Sequence, residues 1–412
     1  DVLRFHPQGM HRVASVIDGN PDYDVLLGRR LDGPEWSVLR SSGDSDEMRQ
    51  AALALFEAKL RQGPSKVFLP ACPGICCDGG TANNRREFAF FERLTNIRLF
   101  NYSDSGSRPA LVPEAELEEA RRLLIADARE FFENRSSLSA AIVHQQILYS
   151  RTLLDSAVAF SDPDSVKPAA LVQANDHSAA RVALSMVMKA LGVPRVYLQH
   201  AEVTNHFPPL DFEYSVLRNR QSLRTYEQIG PIAGRVYILS RHDEPFARSR
   251  LQRPREEPVT VVIYPTSRIR GEQLKDVVAA LSSNPFIARV LIKAHPASRA
   301  ADFASLDAPG VRLIKDIPAE DHVALVGNSA VAIELLHFGI PVYQNFDFDP
   351  IAPDYYGFVR RGLTKHVPLQ ALSGAFWTPY DVSAEWLAAY AELDPSVDGT
   401  HEQDQQEFVA EM

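Results

Sequence analysis

Between residues 235 and 345, short apolar runs rich in Val and Ile alternate with helix-length segments, and that alternation points to a parallel, doubly wound α/β sheet. Strands are expected at 236–240, 259–265, 288–294, 311–315, 322–326 and 340–343. Helices are expected at 274–281 and 329–338, the second stopped by Gly339, and the charged stretch 241–258 reads as helix and loop. The first half repeats the pattern less regularly. Strands are expected at 66–70, 169–173 and 195–199, and helices at 114–134 after Pro113, at 140–159, and at 178–191 before Gly192.

A chain of 412 residues is long for one domain, and two such series imply two Rossmann-like domains facing a cleft. The expected division is 1–232, 233–375, and a closing segment 376–412 whose helix at 383–393 folds back on the first domain. The last dozen residues, polar and acidic, read as a disordered tail. The chain opens at Asp1 rather than Met, so it reads as a piece of a longer polypeptide with neighbouring domains.

A hydrophobic share of 45% supplies two cores, and the formal net charge of -10 argues against duplex nucleic acid as a partner. No apolar run approaches the roughly 20 residues that cross a bilayer. The three cysteines, Cys72, Cys76 and Cys77, are clustered and odd in number. That pattern fits thiols packed at a strand end in a cytoplasmic protein better than a disulfide framework or a zinc site. Asp22–Asp24 and Asp347–Asp349 are Asp-x-Asp pairs of the kind that bind metal elsewhere, but three-residue matches are common by chance, so no metal and no resident cofactor is expected. A Walker loop and a Gly-x-Gly-x-x-Gly fingerprint are both absent from the sequence.

Four stretches could carry chemistry. Val290-Leu-Ile-Lys-Ala-His-Pro296 delivers Lys293, His295 and Pro296 to a strand's carboxyl end, where a histidine can donate to a phosphate oxygen. Leu325-Val-Gly-Asn-Ser-Ala-Val-Ala-Ile-Glu334 reads as strand, small-residue turn and helix. Asn328, Ser329 and Ala330 stand at a helix start suited to phosphate, and Glu334 lies further along, where a carboxylate can accept ribose hydroxyls. Residues 197–215 follow a strand and hold His200, Glu202 and Asp211, with His177 after the preceding strand. Thr266, Ser267 and Arg268 occupy the loop after the 259–265 strand, where they could meet a phosphate or a sugar carboxylate.

The strand-His-Pro element, followed by strand-Gly-Asn-Ser-Ala-helix-Glu, resembles the nucleotide half of GT-B glycosyltransferases that use CMP-activated sugars. The 197–215 stretch, with Asn175-Asp-His177, resembles the retaining β-Kdo transferases of capsule and O-antigen (lipopolysaccharide) synthesis. The resemblance implies a GT-B-like fold, with His295 and Ser329 on the nucleotide phosphate and Glu334 on the ribose. It implies CMP-Kdo as donor substrate and a glycan acceptor, lipid-linked and met at the inner face of the inner membrane. It also implies retention through a carboxylate nucleophile, for which Asp211 is the first choice and Glu202 the alternative. His200, His177 or Glu202 would act as base. Sialyltransferases and glycerophosphotransferases share the scaffold, and a non-catalytic module binding glycan or nucleotide is the reading from another class.

Overall fold

The computed structural model describes residues 2–18, 31, 33–40, 45–62, 67–68, 74–102, 107–108, 112–162, 165–266, 268–295, 298, 303, 306 and 311–412. The chain divides into two compact units, Asp1–Leu239 with Gln403–Met412, and Ser240–Glu402.

The first unit is built on six parallel strands: β1 (Ile75–Cys77), β2 (Phe100–Asn101), β3 (Ala170–Gln173), β4 (Arg195–Leu198), β5 (Asp211–Leu217) and β6 (Ala233–Ile238). Their spatial order is β2-β1-β3-β4-β5-β6, so the winding reverses between β1 and β3. Helices α1 (His6–Asp18), α2 (Asp46–Leu60), α4 (Glu114–Glu133) and α5 (Ala140–Ser161) form a helical layer whose core includes Met10, Phe56, Leu124, Phe132 and Leu153. Further helices of this unit are α3 (Ala82–Thr95), α6 (Ala179–Ala190) and α7 (Arg220–Ile229). The Val67–Phe68 strand pairs antiparallel with Ser107–Arg108, outside the parallel sheet in which such a run was expected.

The second unit contains β7 (Val259–Tyr264), β8 (Ile287–Lys293), β9 (Val311–Ile314), β10 (Val323–Val326), β11 (Val342–Gln344) and β12 (Lys365–His366), all parallel, in the order β9-β8-β7-β10-β11-β12. This is the Rossmann order, with its reversal between β7 and β10. Those two central strands are the most apolar, as strands covered on both faces must be, and Val261, Val262, Ile263 and all four residues of β10 are fully buried. Its helices are α8 (Arg248–Gln252), α9 (Gly271–Ser282), α10 (Val331–His337) and α11 (Ala384–Ala391). Trp377, Tyr380, Trp386 and Tyr390 close this core.

Three expectations are corrected. The 236–240 run is the last strand of the first sheet, paired in register with β5, so the division falls after Leu239 rather than at 232. Residues 376–402 stay with the second unit. The tail is not disordered. It forms α12 (His401–Glu411), whose Phe408 is fully buried against Phe91 and Tyr237. Polar contacts add to that anchor, since Asp404 accepts the backbone N–H of Ile238 at 2.7 Å and Glu411 pairs with Arg235. Among the described residues, no helix is long and apolar enough to cross a membrane.

Candidate functional site

In open parallel sheets, ligands meet the loops beyond the carboxyl ends of the strands, beside the winding reversal. In the second unit those loops follow β8, β7 and β10, which are adjacent. They carry Lys293 and His295, then Thr266 and Arg268, then Asn328, Ser329 and Ala330. All but Asn328 and Thr266 are partly accessible. Ser267 and Pro296 lie outside the described residues. Burial, and then the charge of Lys293, lower the pKa of His295, which favours a neutral imidazole that donates through one N–H.

The turn after β10 is braced from behind. Asp349 accepts the backbone N–H of Asn328 at 2.6 Å and that of Ile351 at 3.0 Å. Gly327 is needed for this approach, because a Cβ there would lie 2.7 Å from Asp349 Oδ2. The Asn328 side chain donates to the carbonyl of Ala352 at 3.1 Å and accepts from the N–H of Tyr355 at 2.8 Å. It is therefore spent on holding the 351–355 loop and is not left over for the phosphate contact expected of it. Thr266 is likewise buried, its hydroxyl donating to the Arg268 carbonyl at 2.6 Å. Helix α10 begins at Val331, later than expected, with Ala330 as its capping residue. Glu334 sits near Tyr264, the last residue of β7: burial and then the charge of Glu334 raise the pKa of that phenol. The 347–349 Asp-x-Asp pair is split in role, since Asp349 forms the brace and Asp347 accepts from the Asn345 amide at 3.1 Å. Asp22 and Asp24 lie outside the described residues.

In the first unit, the carboxyl ends of β1, β3, β4 and β5 gather a second cluster. Asp176 Oδ1 lies 3.0 Å from His177 Nδ1, and Asp176 Oδ2 accepts from the Tyr226 hydroxyl at 3.0 Å. Burial alone would raise the pKa of Asp176. The hydrogen bond and charge of His177, then the charge of Arg12 and the hydrogen bond of Tyr226, bring it below its ordinary value. An ionised carboxylate on Nδ1 places the proton there and leaves Nε2 as the basic nitrogen. The His177 side chain keeps 19% exposure, and Nε2 has no partner among the described residues. His200 lies beside it, ring centroids 6.4 Å apart. Its pKa is lowered by burial and then by His177. Glu202, after β4, accepts from the Asn219 amide at 3.2 and 3.3 Å.

Asp211 does not join this cluster. It is the first residue of β5 and so stands at the opposite, amino-terminal edge of the sheet. Lys189 Nζ holds both its oxygens at 2.8 and 2.9 Å, and Gln8 donates at 3.1 Å. The 197–215 stretch, expected to follow a strand, itself runs into strand β5 from Asp211, and the nucleophile expected at Asp211 is corrected to a structural ion pair.

Asp78 was missed. It follows β1 at the winding reversal, ahead of Gly79 and Gly80, whose φ angles of +64° and +119° suit glycine. Its side chain is 3% exposed, 3.3 Å from Arg181, with Oδ1 unpartnered among the described residues. Burial pushes its pKa up to about 6 against the pull of Arg181. The signal available in the sequence was Asp-Gly-Gly between a strand and a helix. Cys76 and Cys77 lie inside β1, facing different cores, and Cys72 is outside the described residues.

His242, His337 and Asp394 also cluster within ligand distance. The His242 and His337 rings are stacked at 3.7 Å with 10° between planes, so their in-plane lone pairs run side by side rather than converging on an ion. His337 contacts Asp394 at 2.7 Å and the Glu244 carbonyl at 2.8 Å, which makes the group a buried polar lock.

No family model matches the chain, and no curated protein matches it. Solved structures with partial likeness include the calicheamicin glycosyltransferase CalG4 (11% identity, 83% of this chain and 98% of that one, TM-score 0.45). Others are the glycosyltransferase SnogD from Streptomyces nogalater (12%, 82% and 97%, 0.39) and MurG of Acinetobacter baumannii (11%, 82% and 97%, 0.37). Identities and scores this low say nothing of donor or acceptor.

Proposed function

We propose that the chain is a glycosyltransferase whose second unit binds the nucleotide of an activated sugar and whose first unit supplies the acid–base chemistry. The observation that supports this best is the strand order of the second unit. It sets His295, Arg268 and Ser329 on three adjacent loops at the winding reversal, with Glu334 beside the last residue of β7. One phosphate fits donors of this number, and a ribose fits the carboxylate.

The donor we propose is CMP-Kdo, on the resemblance of the His-Pro and Gly-Asn-Ser-Ala elements to enzymes that use it, and the acceptor is a bacterial surface glycan. Glu202 takes the place first given to Asp211. In this reading a Glu202 oxygen attacks the anomeric carbon and CMP leaves with the bonding electrons. The acceptor hydroxyl then attacks the same carbon, releases Glu202, and gives its proton to His177 Nε2. Two inversions retain the anomeric configuration. We assign Asp78, a second buried carboxyl whose pKa burial pushes up to about 6, the part of holding or releasing a proton during this cycle.

Calorimetric titration with CMP tests the nucleotide assignment. Wild-type protein should bind, and His295→Ala and Ser329→Ala should each weaken binding about tenfold or more, the size of a lost hydrogen bond to a charged group. Equal affinity in all three proteins, or no binding in any, would remove the reading.

A further inference from the structure

We infer that Arg12, from the N-terminal helix α1, is the positioning residue of the Asp176–His177 pair. This rests on the proposed role of His177 as base.

Arg12 is 5% exposed, an unusual place for a guanidinium. One arm donates to the Pro209 carbonyl at 2.6 Å, the other to the carbonyl of Asp176 at 3.4 Å, and the group lies over the Phe212 ring. It makes no carboxylate contact within ion-pair distance among the described residues. Two carboxylates nevertheless feel its charge, Asp176 and then Asp211, besides the Tyr226 phenol. Asp211 is already matched by Lys189 at 2.8 Å and Arg195 at 3.6 Å. Among the described residues, Arg12 and its own His177 are the positively charged groups named as acting on Asp176. The buried cation therefore serves Asp176.

Helix α1 itself is pinned by polar contacts well suited to this task. His6 bridges Asp127 at 2.8 Å and Ser150 at 2.7 Å, Gln146 donates to the Met10 carbonyl at 2.9 Å, and Gln8 reaches Asp211. Arg12 is thus held rigidly, and through it the loop that carries Asp176 and His177. The groups that act on the Asp176 carboxylate are Arg12 from α1, His177 from its own loop, Tyr226 from α7, Tyr197 from β4, and His200 from the loop after β4. Of these, only Arg12 carries a permanent positive charge.

The test follows the Asp176 carboxyl carbon by 13C NMR across pH, beside the rate–pH profile for transfer from CMP-Kdo, in wild type, Arg12→Gln and Arg12→Lys. Arg12→Gln keeps amide donors and loses the charge. The Asp176 titration should move up by about one pH unit, kcat should fall at least about tenfold with KM held, and the acid limb of the profile should move to higher pH. Arg12→Lys keeps the charge and one carbonyl contact, so the titration should stay in place while kcat falls a few-fold. A folded Arg12→Gln protein with an unmoved Asp176 titration overturns the inference. If that variant does not fold, unchanged kcat in Arg12→Lys overturns it. His177→Ala separates the two claims. Full activity there would remove the role of His177 as base, while the Asp176 titration would still report on Arg12.

Discussion

The Asp349 carboxylate accepts the backbone N–H of Asn328 at 2.6 Å, so the loop after β11 fixes the turn after β10 on which Ser329 stands. Asp349 is 1% exposed and also holds the N–H of Ile351. Asp349→Ala should leave the buried Asn328 N–H unpaired, at about 1–3 kcal/mol before relaxation, and free the partly exposed N–H of Ile351 to water. The expected outcome is a lower melting temperature together with weaker CMP binding. Unchanged CMP affinity in the folded variant would detach this brace from the nucleotide site.

Asp78 should make the protein less stable at neutral pH than its amide would. Its pKa is raised to about 6 from an ordinary 3.8, so the folded form binds a proton that the unfolded chain has released. Its contribution is full below about pH 4 and is lost as pH rises through about 6. Asp78→Asn should then gain up to about 3 kcal/mol at pH 7 and lose transfer activity. Urea unfolding at pH 4 and pH 7 checks the sign, since the gain should appear only at the higher pH.

Asp394 works in the other direction. Burial opposes its ionisation, but the hydrogen bond from His337 and the charge of His242 bring its pKa down to about 2. Its stabilisation is present above about pH 4 and is lost as pH falls through about 2, amounting to about 2 kcal/mol. Fluorescence of Trp377 and Trp386, both in the core of the second unit, should report acid unfolding. Asp394→Asn should lower stability at pH 7 and flatten the profile between pH 4 and pH 2.

Phe408 tests the terminal helix. Phe408→Ala empties a fully buried site between Phe91 and Tyr237 and should cost about 3–5 kcal/mol in denaturant unfolding of the first unit. A loss below about 1 kcal/mol would mean that the helix does not hold its place in solution.

The second unit was legible because its central strands β7 and β10 are nearly unbroken apolar runs that end in Tyr-Pro and Gly-Asn-Ser, and buried parallel strands must look that way, whereas the two-residue edge strand Lys365–His366 carries no such signal. The first was less so. Strand β5 begins Asp-Phe-Glu-Tyr-Ser, an alternation in which the largely covered Asp211 pairs with Lys189 and the exposed Glu213 pairs with the buried Arg195. Those long-range partners are invisible in sequence, and without them the run reads as a loop. Strand β1 is three residues long and sits among Pro, Gly and Cys, which hid both the winding reversal and Asp78 behind it. His177 was visible only as one of several polar residues. What singles it out is Asp176 at 3.0 Å, and the buried Tyr226 and Arg12 that keep that carboxylate ionised come from helices far away in the chain.

The most direct test of sugar transfer is to incubate the protein with CMP-Kdo generated in place, following CMP release and the intact mass of the protein. The account predicts release of CMP and a gain of one Kdo residue on a peptide containing Glu202, both lost in Glu202→Gln. No CMP release from the wild-type protein, or the adduct on a peptide carrying Asp211 without Glu202, would contradict it.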